Sequence, residues 1–195
     1  MDAGELDWKR TLREQWAVHW RHQLRARLEG LTDDEYFWSP VQDAWSVRPR
    51  GRSKAPVQFG AGDFTIDLAF PQPVQATFTT IARRLGHVIV GVLVAPYAAQ
   101  MGAPAASYET WEYAASAATA LYPLETQLDV WLARVRGLGG TGLRVPIGEK
   151  EPFPEALMAD LVLHIHRELI HHLSGVCLLR DLYLHTSPAT NGAAR

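Results

Sequence analysis

The chain has 195 residues, a net charge of −2 and 47% hydrophobic residues, which suits one domain with a buried core and excludes a disordered chain. Lysine and arginine gather on no evident face, which excludes nucleic-acid binding by bulk electrostatics, and no run of about 18 apolar residues suggests a membrane span. The single cysteine, Cys177, excludes an intrachain disulfide, and the charged start MDAGELDWKR lacks an apolar signal core, so the expected location is the cytoplasm.

Period and punctuation predict four helices. The first spans about Leu6 to Glu29. Leu12, Trp16, Trp20, Leu24 and Leu28 recur every four residues as its buried stripe, and Gly30 ends it. A long connection follows, from about Thr32 to Val74, punctuated by Pro40, Pro49, Pro56, Pro71 and Pro73. A connection of this length in one domain carries local order or function. Within it, DFTIDLAF alternates enough for a short strand.

The second helix starts near Thr77 and ends near Pro96. The third region covers Ser107 to Arg136, and Pro123 either splits it or opens a new helix at its first turn. There PLETQLDVWLARVRGLGG sets Leu124, Leu128, Trp131, Leu132 and Val135 on one side, and Gly137, Gly139 and Gly140 end it. The fourth helix begins after Pro154 and runs to about Leu184. The expected architecture is all-α, a four-helix bundle with one long crossover between helices one and two. It forms a single domain over residues 1–187, and residues 188–195 are a flexible tail.

The fourth helix carries HIHRELIHH, four of the eight histidines and a glutamate within an apolar run. At about 100° per residue, His164, Glu168, His171 and His172 fall on one arc of roughly core-facing width. His166 falls on the opposite side, and is expected at the periphery. Hydrogen-bonded structural histidines are one reading of this face. A zinc-protease H-E-x-x-H motif fails, because Arg167 stands where the first histidine must be. A di-iron site fails too, because Glu168-x-x-His171 has no second E-x-x-H in the chain.

A mononuclear site is the other open reading. Glu168 and His172, at i and i+4, can meet one ion, and a third ligand comes from another helix. His87, in the apolar segment RRLGHVIVG, is the candidate, with Gly86 allowing close approach. Two imidazoles and a carboxylate leave coordination positions open, as catalytic Zn2+ and Fe2+ sites do. His19 and His22 flank the tryptophan stripe of the first helix and are weaker candidates. Arg83 and Arg84, one turn before His87, are candidates for binding a carboxylate of a thiol or substrate. Cys177, among Val176, Leu178 and Leu179, reads as a buried inert thiol.

Three segments in this order, YFWSPVQDAWSVRPR, FTTIARRLGHV and HIHRELIHHLSGVCLLRDLYL, resemble the DinB-like (DinB/YfiT) superfamily of metal-binding four-helix bundles. The first looks like the W-x-P…W-S-V-R connector of an actinobacterial-type branch. The resemblance implies a metal site of His87, Glu168 and His172, with glutamate where many members have histidine. That His, Glu, His set is similar to the mycothiol-dependent maleylpyruvate isomerase branch. The implied cofactors are one divalent ion, Zn2+ first with Ni2+ or Fe2+ as alternatives, and mycothiol or bacillithiol. The implied activity is S-transfer or isomerisation with a small-molecule thiol and an electrophile, in a protein that can form a homodimer. His164 or His171 would then shuttle a proton. A non-catalytic, stress-related metal- or ligand-binding bundle is the alternative.

Overall fold

A stripe that repeats every four residues is too long for an α-helix, which turns in about 3.6. Helix α1 resolves the mismatch by unwinding. It is α-helical over Trp8–His19, π-helical over Trp20–Leu24, and α-helical again over Arg25–Leu28. The wider π turn keeps Leu12, Trp16, Leu24 and Leu28 buried on one side, with Trp20 packed against the same core. The Asp7 carboxylate accepts a hydrogen bond from Arg10 N at 3.0 Å and caps the start. The computed structural model describes residues 7–71, 73, 77–96, 106–149 and 153–186. Leu6 and the expected tail at 188–195 lie outside the described residues.

The connection after α1 is ordered. A capping box at Thr32 and Glu35 starts the short helix α2, Asp33–Phe37. Three strands follow: β1 (Val47–Pro49), β2 (Val57–Phe59) and β3 (Phe64–Leu68). They pair antiparallel in the order β1-β3-β2, so the DFTIDLAF segment is the central strand. The all-α expectation holds broadly: the chain is mostly helical, and its crossover folds into a small sheet. Two strands of three residues are too short to show an alternation in sequence.

The sheet fixes the entry of the next helix. Trp45 N donates to Phe78 O at 2.9 Å, and Thr80 N donates to Trp45 O at 2.9 Å. The Ser46 hydroxyl meets the Thr80 hydroxyl at 2.9 Å, and Ser46 N donates to Asp67 Oδ2 at 2.8 Å. Asp67 is buried in β3 and also accepts from Ser53 and from Arg48. Thr80 in turn caps helix α3, accepting from Arg83 N at 3.2 Å. The segment Trp45–Arg48 thus locks the sheet to the N-terminus of α3.

Helix α3 is α-helical over Ile81–His87 and π-helical over Val88–Val94. It starts at the Thr80 cap rather than near Thr77, and the described part reaches Pro96. Helix α4 spans Ala117–Gly142, with a capping box at Ser116 and Thr119. Pro123 lies inside it, so neither expectation for that proline holds: it neither splits the region nor opens a helix. The cap seven residues earlier already sets the helical direction. Leu124, Leu128, Trp131 and Val135 are buried as their spacing predicts, and regular turns stop at Gly139, whose φ of 64° is left-handed. Helix α5 spans Met158–Thr186. The helices α1, α3, α4 and α5 pack on one another around one core that contains Trp16, Leu85, Leu124, Leu169 and Leu173. No helix among the described residues is long and apolar enough to cross a membrane.

Candidate metal centre

The core face of α5 is Val162, Ile165, His166, Leu169, Leu173 and Val176. Glu168 and His172 stand on one flank of that face, where α3 packs. There His87 Nε2 lies 3.1 Å from His172 Nε2, with the two rings crossed at 78°. Glu168 Oε2 lies 3.4 Å from the same His172 nitrogen, as the i,i+4 spacing requires. So the structure brings together the three residues that the sequence singles out, with His172 in the middle.

Both imidazoles are held neutral. Burial pushes His87 down to about 3, helped by His172, Arg83 and Arg84. Burial likewise pushes His172 down to about 4, with His171 adding repulsion and Glu168 opposing it. Neutral imidazole is the form that binds a metal.

Tyr108 is the site residue that sequence reasoning missed. Its hydroxyl meets His87 Nδ1 at 2.5 Å, and the two rings lie parallel. When His87 Nε2 offers its lone pair, Nδ1 carries the proton and donates it to the Tyr108 oxygen. A partner on the far nitrogen is how metal-binding histidines are oriented. The available signal was Gly91, one turn after His87: a Cβ there would sit 2.1 Å from the Tyr108 oxygen and 2.9 Å from His87 Nδ1. Gly86, by contrast, admits Ile66 of β3 and Tyr113 rather than a neighbouring helix.

The other histidines are sorted differently from the helical projection. His164 and His171 are exposed. His164 Nδ1 accepts from Arg167 at 2.7 Å, and only His171 neighbours the pair, with its ring centroid 4.9 Å from that of His172. His166, expected at the periphery, is 4% exposed. It is stacked on Trp16 and edge-on to Trp131. The projection took the polar column as the core face, whereas the aliphatic residues of α5 set the true face and His166 falls within it. His19 is on α1 and is not part of the pair's surroundings: its Nε2 is buried without a partner, as are both His166 nitrogens and the Trp16 and Trp131 N–H groups. Arg83 and Arg84 both lie partly buried beside the pair. Cys177 is partly buried, and burial raises its thiol.

Donors about 2.0–2.1 Å from Zn2+ at tetrahedral corners stand about 3.3–3.4 Å from one another. The separations of 3.1 and 3.4 Å around His172 Nε2 lie close to two such edges. Among the described residues, no group of three or more His, Cys, Asp or Glu side chains is placed to hold a metal ion as it stands.

The model of the DinB superfamily matches residues 15–175. This chain belongs to the DinB superfamily. The match takes in the connector, the His87 helix and the Glu168–His172 pair of this DinB protein. No curated protein and no solved structure matches it.

Proposed function

We propose that this DinB-superfamily protein is a four-helix bundle that holds one divalent ion, Zn2+ first, on His87, Glu168 and His172. We propose further that it serves S-transfer or isomerisation with a low-molecular-weight thiol, mycothiol or bacillithiol, in the manner of the maleylpyruvate isomerase branch. The observation that carries the reading is the 3.1 Å approach of His87 Nε2 to His172 Nε2 between two helices, with both rings neutral. Two neutral imidazoles aimed at one point gain little from each other and much from a shared cation.

A divalent ion there supplies Lewis acidity, which lowers the pKa of a thiol that reaches it. The protein's own groups do the rest. Tyr108 holds His87 in the tautomer that presents Nε2. Glu168 contributes the one negative charge of the donor set, which favours a hard or borderline ion. His171, exposed beside His172, takes the thiol proton. The sulfur would then add to an electrophilic carbon of a double bond, whose π pair moves to the far atom and takes up the proton that His171 returns. In an isomerisation the same bond breaks and the thiol is returned.

The test is metal analysis of protein purified without added nickel, followed by turnover of a generic electrophile with a panel of thiols. The reading expects about one ion per chain, lost in His87→Ala and His172→Ala, and thiol-dependent turnover. An ion without turnover by any thiol leaves a metal-binding bundle. Absence of an ion, with both variants fully stable, sinks the reading.

A further inference from the structure

Two guanidiniums flank the His87–His172 pair, and they are not equivalent. Arg83 is committed: its Nε donates to Asp67 O at 3.1 Å. The Asp67 carboxylate is itself occupied by Ser46, Ser53 and Arg48. Among the described residues, Arg84 has no such engagement. Its Nε is buried without an acceptor, and no described residue forms an ion pair with it. Its guanidinium lies over Gly175 of α5, where a Cβ would come within 2.6 Å of Nη1. Gly175 is three residues beyond His172 and Arg84 three before His87, so on each helix the contact lies about one turn from the pair.

Both arginines lie close enough to add positive charge to the surroundings of the pair. Among the described residues, Glu168 is the only carboxylate bonded there, and it is engaged with His172 and Arg167. A half-buried charge without a counter-ion is costly. A guanidinium is also the side chain best shaped to take a planar carboxylate.

We infer that Arg84, lying on Gly175 beside the His87–His172 pair, is the anchor for a carboxylate group of the molecule this site binds. The inference rests on the reading of the pair as a small-molecule site and names its ligand class, a carboxylate-bearing small molecule. Arg83 holds the sheet to α3 and is not the anchor.

The test is calorimetric titration at constant ionic strength with three probes: 3-mercaptopropionate, 2-mercaptoethanol and propionate. Each is run on the protein as purified and on the chelator-treated protein. The purified protein should bind 3-mercaptopropionate at least about tenfold tighter than 2-mercaptoethanol. Arg84→Gln should bring the two thiols within about twofold, and Arg84→Lys should keep part of the preference, since it keeps charge but loses the planar fork. Propionate separates a carboxylate held by itself from one held only as part of a thiol. Equal affinity for the two thiols in the unaltered protein, or an undiminished preference in Arg84→Gln, overturns the inference. If Arg84→Gln does not fold, an Arg84→Lys protein with undiminished preference does the same. The metal reading fails separately: a carboxylate preference that survives chelation, in a protein with no ion, keeps the anchor and removes the metal.

Discussion

His87 Nε2 and His172 Nε2 face each other at 3.1 Å although they are 85 residues apart in sequence. Without an ion, one nitrogen must carry a proton and donate it to the other. Replacing His172 with alanine removes that partner and leaves a buried imidazole nitrogen unpaired. The chelated His172→Ala protein should therefore be about 1–3 kcal/mol less stable than the chelated original, measured by urea unfolding. Unchanged stability would mean that the two rings do not interact.

Tyr108 should matter through His87 rather than by itself. Tyr108→Phe keeps the parallel ring but removes the hydroxyl that meets Nδ1. Loss of such an orienting partner lowers metal affinity roughly 10–100-fold, readable by competition with a chromogenic chelator. Gly91→Ala should produce the same loss by another route. Its new methyl would occupy the position of the Tyr108 oxygen, and crowding of this kind costs typically about 1–3 kcal/mol. An affinity that survives both changes would remove Tyr108 from the site.

Acid should destabilise the protein over a defined window, and His166 is the cleanest reporter because it lies away from the donor set. Burial holds its folded pKa at about 4, below the ordinary 6.5. Between those values the unfolded chain binds a proton that the folded one does not. Stability is therefore full above about 6.5 and falls as pH drops toward 4. The contribution is on the order of 3 kcal/mol for this 4% exposed ring. His166→Phe should flatten the pH dependence of the unfolding midpoint across that window. A His166→Phe profile that parallels the original would show that the ring titrates normally.

The buried ion pair between Arg180 and Glu35 ties α5 to the connection after α1. Arg180 Nε donates to Glu35 Oε1 at 2.8 Å, and Arg180 Nη1 donates to the Arg27 and Glu29 carbonyls at the end of α1. Burial would raise the Glu35 carboxyl, but hydrogen bonds from Arg180 and from Thr32 N outweigh it and hold the group below its usual range. Arg180→Ala leaves that carboxylate buried alone and should cost about 3–5 kcal/mol. Glu35→Gln with Arg180→Met should recover much of the loss. Thermal unfolding of the three proteins checks both statements. A small effect of Arg180→Ala would show that water reaches Glu35.

What the sequence determined by itself is local and periodic. The stripe Leu12, Trp16, Leu24 and Leu28, the face Leu124, Leu128, Trp131 and Val135, and the stop at Gly139 follow from spacing and backbone freedom. The Glu168–His172 pair was legible for the same reason, since i and i+4 on one helix are neighbours wherever the helix packs. His87 was legible as an isolated imidazole in an apolar helix, but its distance from His172 was not.

The tertiary structure alone decided which way each flank of α5 faces. His166 went inside between Trp16 and Trp131, and His164 and His171 went outside. The reason is that a helix turns the side with most aliphatic surface toward its neighbours, and polar side chains take whatever angle remains. It also decided the sheet in the crossover, since strands of three residues form only when β3 supplies the pairing. Tyr108 and Arg84 belong to the same class. Their partners, His87 Nδ1 and the bare backbone at Gly175, come from contacts between separate segments, and no spacing within either segment announces them.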